Sequence, residues 1–154
     1  MAQAIQAPKT TGHLQLVQRV LRGELPGPPI AQLIGFTLAE VELGRAVTEL
    51  VAERRHANPM GSLHGGIICD VADAAMGIAM STTLEDEESF TTIDLTAKYF
   101  KPIWNAKIRA SAEVTKRTRT LGLIECAVED EGGSLVAKVF STCMVLRGEA
   151  AQGR

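Results

Sequence analysis

The most apolar helical stretch of the chain is HGGIICDVADAAMGIAMSTT, residues 64–83. It is rich in Ala, Ile and Met, begins with Gly65 and Gly66, and carries few polar side chains, which predicts a helix buried on most sides. Because such a helix is too apolar to leave one side in water, the rest of the chain must curl around it. Asp70 and Asp73 are charged residues within this apolar segment. They are unusual there because an unpaired charge is costly among apolar side chains.

Working outward, the sequence predicts six strands and two short helices around this segment. Turn residues and hydrophobic periodicity place the elements. They are helices at 12–23 and 29–34, a strand pair at 36–43 and 45–53, a loop at 57–62, a solvated acidic loop at 85–88, and strands at 92–99, 107–114, 120–129 and 134–146. The last two strands are apolar on both parities, which predicts that both of their faces are covered.

The predicted fold class is therefore α+β, an antiparallel sheet of about six strands wrapped around one long buried helix. A chain of 154 residues fits one domain. We expect residues 35–148 to form this domain and residues 1–34 to be a tail with short helices that pack on it.

Composition narrows the function class and the compartment. A net charge of −2 argues against nucleic-acid binding, which needs a surplus of Lys and Arg. The three cysteines have no CxxC spacing, so neither a disulfide framework nor a zinc site is expected. The first residues lack a signal pattern, and Asp70 and Asp73 interrupt the apolar run, so we expect a cytoplasmic protein without membrane contact.

A motif surrounds the start of the predicted helix. Asn58 lies six residues before His64-Gly65-Gly66, Asp73 follows nine residues after the His, and residues 92–102 read TIDLTAKYFKP. Over roughly residues 35–147 the chain resembles the hotdog-fold thioesterases of the phenylacetate-degradation and 4-hydroxybenzoyl-CoA thioesterase type. The resemblance implies the hotdog fold and hydrolysis of an acyl-CoA or aryl-CoA, with CoA as part of the substrate and no cofactor or metal.

The resemblance also implies roles for single residues. Gly65 would offer its backbone N–H to the thioester carbonyl, and Asp73 would attack the thioester or activate water. Asn58 would help to place the water or the substrate. One branch of the family has Glu at the acidic position and Thr four residues later, whereas this chain has Asp73 and Gly77, so the aryl specificity of that branch does not transfer directly.

The glycines favour the same chemistry on physical grounds. The first N–H groups of a helix lack intrahelical partners, and without a Cβ a substrate carbonyl can approach those of Gly65 and Gly66. Such donors stabilise the oxyanion that develops when a thioester is attacked. The alternative for the glycine pair is close packing of the helix on a strand, and the alternative for Asp73 is a hydrogen-bonded structural role.

Helix geometry adds a prediction about assembly. Eight residues along a helix rise by roughly 12 Å, so Gly65 and Asp73 of one chain cannot meet at one thioester carbon. Two antiparallel copies across a two-fold axis would bring them together, each lending Gly65 to the other's Asp73. We therefore expect a homodimer with two composite sites, and the resemblance implies a dimer of dimers, a homotetramer.

Further candidate residues surround this core of the site. His64 either titrates in catalysis or orders the loop before the helix, and the second role is preferred. Relatives often place a hydroxyl at the head of the third strand, and Thr91 is favoured over Thr92 for it. Cations that could meet CoA phosphates include Lys98, Arg117 and Arg119, together with Lys101, Lys116 and Arg147.

Two other function classes stay open. A hotdog acyl-thioester dehydratase would place a His and an acid in a different local pattern. A non-catalytic acyl-CoA-binding module should lack the helix carboxylate that Asp73 supplies here.

Overall fold

The computed structural model describes residues 11–152, so the tail at 1–10 lies outside the described residues. The elements are α1 (Gly12–Leu21), α2 (Pro29–Ile34), β1 (Thr37–Glu42), β2 (Arg45–Val51), α3 (Gly65–Ser81), β3 (Glu88–Tyr99), β4 (Lys107–Arg117), β5 (Leu121–Asp130) and β6 (Leu135–Arg147). Short 3₁₀ turns occur at Arg54–His56 and Gly148–Ala151. All the predicted helices and strands are present.

The strands form one antiparallel sheet in the order β1-β2-β4-β5-β6-β3. The long helix α3 packs across its concave face, which confirms the predicted α+β architecture. Strand β3 follows α3 in sequence but lies at the edge of the sheet. It starts near the carboxyl end of α3 and runs back to its amino end. This path positions both ends of the candidate site.

Small residues let α3 lie close to the sheet. Ala72, Ala75 and Ala79 are fully buried, and Met76 and Met80 fill the space between them and the strands. Each large apolar side chain buried in this way contributes about 1.5–3 kcal/mol to stability. On β5, the Met80 side chain occupies the space that a Cβ at Gly122 would need, so a larger residue there would displace Met80.

The amino-terminal helix α1 packs on the same core. Its Leu14 is buried, and the Thr11 side chain accepts a hydrogen bond from the Leu14 N–H at 3.0 Å, which caps the helix. The Thr11 hydroxyl also donates to the Thr82 carbonyl at 2.9 Å. The amino-terminal segment is thereby tied to the carboxyl end of α3.

Three expectations need correction. The sheet covers α3 on one side only, and Asp70 and Asp73 are exposed in the single chain. The outer face of β5 and β6 is uncovered, since Leu123, Phe140 and Met144 are each more than 40% exposed. Glu88 is not part of a solvated loop but is buried at the start of β3, because two arginines distant in sequence neutralise it.

Candidate active site

Asp73 lies at the middle of α3, on the side that the sheet leaves open. Residues 66, 70 and 73 are exposed along this open stripe, residues 65, 69, 74 and 77 beside them are partly buried, and the opposite side of the helix is buried against the sheet. Although the carboxylate is exposed, the surrounding protein atoms desolvate it and raise its pKa above the ordinary 3.8, and the charge of Asp70 adds to the rise. A carboxylate with a raised pKa can take up a proton more readily than an ordinary aspartate.

The start of α3 supplies one free backbone donor. The Gly66 N–H donates to the His64 Nδ1 at 2.9 Å, so His64 caps the helix with its side chain. The Ile67 N–H donates to the His64 carbonyl at 3.0 Å. Within residues 11–152 the Gly65 N–H has no hydrogen-bond acceptor, and it therefore remains available to a ligand. The Gly65 N–H can thus bind a ligand, whereas the Gly66 N–H, which was also predicted to contact the substrate, is already bonded to His64.

Tyr99 occupies the side of Gly65 where a Cβ would lie. Its Cζ and hydroxyl oxygen are each 3.1 Å from that Cβ position, so any side chain at residue 65 would press on the ring. The Tyr99 hydroxyl donates to the Gly65 carbonyl at 3.0 Å and lies 3.0 Å from the Cys69 Sγ. The sequence predicts Tyr99 on a strand, as an aromatic of either the core or the pocket, and no local signal predicts this contact with the helix.

A β-bulge decides which threonine of β3 faces α3. Thr91 pairs with Met144 and Thr92 with Cys143, and then the register shifts before Asp94. Cys143 is buried under the helix whereas Met144 is 41% exposed on the outer face. Since directly opposite residues share a face, Thr92 lies on the helix side and Thr91 on the outer side. The structure thus favours Thr92 over the Thr91 preferred from sequence.

The charge of Asp73 acts on Cys143, the residue opposite Thr92. Burial is the main cause that raises the pKa of Cys143, and the nearby Asp73 carboxylate adds to it. The Thr92 Oγ1 lies 3.9 Å from the Cys143 Sγ. The Asp73 charge and the Thr92 hydroxyl thus both act on Cys143.

Asn58 organises its own loop. Its side-chain amide donates to the Ser62 Oγ at 2.9 Å, and its Oδ1 accepts from the Met60 N–H at 2.9 Å. The residue also lines an open cavity of about 520 Å³ together with Trp104. The loop precedes Gly65 directly, so Asn58 lies at the amino end of α3 rather than beside Asp73 of the same chain.

The candidate CoA-binding cations do not form one group, since Lys101 pairs with Asp130 and Lys116 lies on β4. Arg117, Arg119 and Arg147 line a cavity of about 510 Å³ at the carboxyl end of α3. Lys98, in contrast, lies opposite Lys138 of the neighbouring strand β6, on the outer face of the sheet. Among the six candidates, the three arginines share a cavity.

Glu88 holds the arginine cluster together. It forms ion pairs with Arg117, at 2.7 Å, and with Arg147. Burial alone would raise the pKa of Glu88, but the Glu85 N–H and the two guanidinium groups outweigh burial and keep the pKa below its ordinary value. Within residues 11–152, the buried Nε of Arg117 has no hydrogen-bond partner.

His56 has a structural role. It is buried, its Nδ1 accepts from the Glu53 N–H at 3.1 Å, and its Nε2 lies 2.8 Å from the Ile34 carbonyl oxygen. No group of three His, Cys, Asp or Glu side chains in the described part of the chain could hold a metal ion. No helix within residues 11–152 has the length and apolar character to span a lipid bilayer.

An apolar cavity of about 660 Å³ lies between α1, α2 and β1. Ile78 of α3 reaches it, and five residues along a helix correspond to a rotation of roughly 140° from Asp73. The cavity therefore opens on a different side of α3 from the carboxylate.

Comparison with known proteins identifies the family. The chain is 25% identical to a 1,4-dihydroxy-2-naphthoyl-CoA hydrolase of Listeria monocytogenes over 116 residues, 75% of this chain and 93% of the hydrolase. It is 24% identical to human acyl-coenzyme A thioesterase 13 over 131 residues, 83% of this chain and 93% of that protein.

A solved structure has the same fold. The crystal structure of a phenylacetic acid degradation-related protein from Ralstonia eutropha JMP134 superposes with a TM-score of 0.75 at 29% identity, covering 82% of this chain and 97% of that one. The sequence profile of the thioesterase superfamily matches residues 60–137, a segment that contains Gly65, Asp73 and all of β3. These matches confirm the resemblance seen in the motif: the chain belongs to the thioesterase superfamily and is a thioesterase with the hotdog fold.

Proposed function

We propose that the protein hydrolyses acyl-CoA or aryl-CoA thioesters at composite sites, each made of Gly65 from one subunit and Asp73 from its partner. The observation that carries this proposal is that, within residues 11–152, two polar groups on the open side of α3 lack a bonding partner. The Gly65 N–H has no acceptor in the described residues, and Asp73 has a raised pKa and no basic partner. A rise of roughly 12 Å along the helix keeps the two apart within one chain.

Helix geometry fixes how two copies would meet. Gly65, Cys69 and Asp73 follow one another at intervals of four residues, so they form one row along α3. If two such rows run antiparallel, Gly65 lies opposite the partner's Asp73 only when the two-fold axis passes beside Cys69. One axis then creates two identical sites.

The edge of the sheet supports the same pairing. β3 is an edge strand, and Ile93 on it and Phe100 directly after it are 55% and 59% exposed. An uncovered edge strand with apolar side chains is a template for pairing with a second copy. Since β3 runs alongside the open stripe of α3, one interface would cover both.

The reaction follows from the groups that this dimer brings together. The thioester carbonyl oxygen accepts the Gly65 N–H at the positive end of the helix dipole, which stabilises the negative charge of the tetrahedral intermediate. Asp73 takes a proton from a water molecule whose oxygen attacks the carbonyl carbon. The C–S bond then breaks with its electron pair on sulfur, the proton held by Asp73 passes to that sulfur, and CoA thiol and the free acid are released. The Thr92 hydroxyl offers a hydrogen bond for that water, which favours this route over attack by the carboxylate itself.

The arginine cluster is the proposed contact for the CoA phosphates. Arg119 and Arg147 line its cavity together with Arg117, which Glu88 holds in place. Guanidinium groups bind phosphate through several charge-assisted hydrogen bonds. The named activities of two relatives, a naphthoyl-CoA hydrolase and an acyl-coenzyme A thioesterase, support CoA thioesters as the substrate class.

The outer face of the sheet supports a dimer of dimers. Its apolar side chains form a patch at one end of β5 and β6, where a second dimer could cover them. The patch consists of Leu121, Leu123, Phe140 and Met144, each 37–44% exposed.

Mixed dimers test the composite site. Asp73→Asn removes the base, and Gly65→Pro removes the N–H at the first helical position, where the backbone accepts proline but its ring presses on Tyr99; a circular dichroism spectrum equal to that of the wild type checks that the variant is folded. Each homodimer should lose about 100-fold or more in kcat for thiol release from a panel of CoA thioesters. A co-expressed heterodimer keeps one intact pair, Gly65 of the first variant with Asp73 of the second, and should recover up to half of the wild-type turnover.

Asp70→Asn is the matched control, because it removes an exposed acid one helical turn from Asp73 and should retain turnover. Heterodimers as inactive as both parents would show that each site lies within one chain. A wild-type protein that binds CoA thioesters but releases no thiol would instead indicate the non-catalytic binding module.

A further inference from the structure

We propose that Tyr99 is a positioning residue that holds the first turn of α3, so that the Gly65 N–H and the His64 ring keep the geometry required for oxyanion stabilisation. The proposal rests on the proposed function and adds to it a residue on β3, outside the helix motif. Its basis is the contact of one side chain with both the backbone and the capping network of the helix start.

The contact has two parts. The Tyr99 hydroxyl donates to the Gly65 carbonyl at 3.0 Å, and the aromatic ring fills the side of Gly65 where other residues carry a Cβ. Tyr99 is the last residue of β3, so it links a strand end to a helix start. A sideways or rotational movement of the first turn would break the hydrogen bond or press the backbone against the ring.

The first turn needs such a restraint because it contains two consecutive glycines. Glycine has the widest choice of backbone conformations, and residues 65 and 66 have no side chains with which to pack against the sheet. A donor displaced by about 1 Å from the reacting oxygen can cost 100-fold in rate. Tyr99 from the strand side and His64 from the loop side together restrict this segment.

The same peptide group connects Tyr99 to His64. The Gly65 carbonyl accepts from Tyr99, and the N–H of the same peptide unit, that of Gly66, donates to the His64 Nδ1 at 2.9 Å. Hydrogen bonds in such a row polarise and strengthen one another. Because Nδ1 is the acceptor, neutral His64 carries its proton on Nε2.

Cys69 extends the row at its other end. A tyrosine hydroxyl has one hydrogen, which Tyr99 uses on the Gly65 carbonyl, so the Cys69 thiol 3.0 Å away donates to the Tyr99 oxygen. Burial, with the contribution of Cys69, raises the pKa of Tyr99 to about 12. The hydroxyl therefore stays protonated, and remains a donor, throughout the neutral range.

Tyr99→Phe tests the proposal, since it removes the hydroxyl and keeps the ring against Gly65. In thiol-release assays we expect kcat to fall about tenfold and KM to stay within about twofold, as for an interaction used in the transition state. In ¹⁵N NMR spectra above pH 8, we expect His64 to change from the Nε2–H tautomer to a mixture of both. Thr115→Val is the matched control, because it removes an exposed hydroxyl that donates to the Leu123 carbonyl at 3.1 Å, away from the helix start.

The possible outcomes are distinct. An active wild type whose Tyr99→Phe variant keeps both its kcat and its His64 tautomer overturns the positioning role and leaves the proposed function intact. A loss of kcat that is matched by the Thr115→Val control also overturns it, because a general loss of stability would then be the cause. A wild type that hydrolyses no CoA thioester contradicts the proposed function itself, whereas the tautomer measurement still reports on Tyr99.

Discussion

Thr92 and Cys143 lie directly opposite each other on β3 and β6, with the Thr92 Oγ1 3.9 Å from the Cys143 Sγ on the helix side of the sheet. The neighbouring Thr91 points to the other side of the sheet. The two threonines are thus adjacent in sequence but differ in their access to Asp73.

We expect Thr92→Val to lower kcat about tenfold, because valine keeps the shape but cannot hydrogen-bond the attacking water. Thr91→Val removes the same hydroxyl one residue earlier and should leave kcat unchanged within about twofold. Steady-state thiol release measures both variants. If Thr91→Val were instead the impaired variant, Thr91 and not Thr92 would contact the water, and the prediction would be wrong.

The pH dependence should report on Asp73. Since burial and the charge of Asp70 raise its pKa above 3.8, and the reaction needs the carboxylate, kcat/KM should fall as the pH drops through this raised value. Asp70→Asn removes the second cause, so we expect the acidic limb of the kcat/KM profile to move to lower pH. An unmoved limb in this variant would mean that another group titrates there.

Cys69 gives a test of the dimer geometry. Two helices packed 8–10 Å apart, each with a radius of 2.3 Å, would leave the facing Cα atoms of Cys69 roughly 3.5–5.5 Å apart. This range overlaps the separation that disulfides bridge. Oxidation with diamide should therefore yield a covalent dimer on a non-reducing gel, and Cys69→Ser should not.

The other two cysteines serve as internal controls in this experiment. Cys126 and Cys143 are buried, and desolvation raises the pKa of Cys126 to about 12, so both should resist oxidation. If covalent dimers persist in Cys69→Ser, the two-fold axis does not pass beside Cys69.

Arg119 tests the proposed phosphate contact. Arg119→Gln should raise KM for a CoA thioester several-fold, because one cation beside the phosphates is lost, and kcat should change little. A thioester of N-acetylcysteamine has no phosphates, so its KM should not respond. Arg22→Gln removes an exposed cation at the end of α1 and is the matched control. Equal effects on both substrates would argue that Arg119 acts on folding rather than on CoA.

Much of this architecture depends on residues close together in the chain and can therefore be predicted from the sequence. The apolar run predicts α3, and the spacing of Gly65 and Asp73 from His64 predicts the donor and the acid of the proposed site. Pro29 and Gly35 bound α2 within one residue of its observed ends, because proline and glycine act through the backbone at their own positions.

The features that escaped prediction depend on residues distant in sequence. Glu88 reads as part of an acidic loop until Arg117 and Arg147 approach it from two other strands. Tyr99 reads as an ordinary strand residue, since its partner Gly65 lies 34 positions earlier. The face of Thr92 depends on how β3 pairs with β6, and simple alternation groups it with the outward side chains instead.

The extra residue in β3 explains how one strand can serve both halves of the site. Seven positions separate Thr92 from Tyr99, an odd number, and a regular strand would send two such side chains to opposite sides. With Ile93 accommodated in the bulge, the first reaches the carboxylate region and the second reaches the helix start. Deleting a single residue there would straighten the strand and turn one of the two outward, so this segment should tolerate substitutions far better than changes in length.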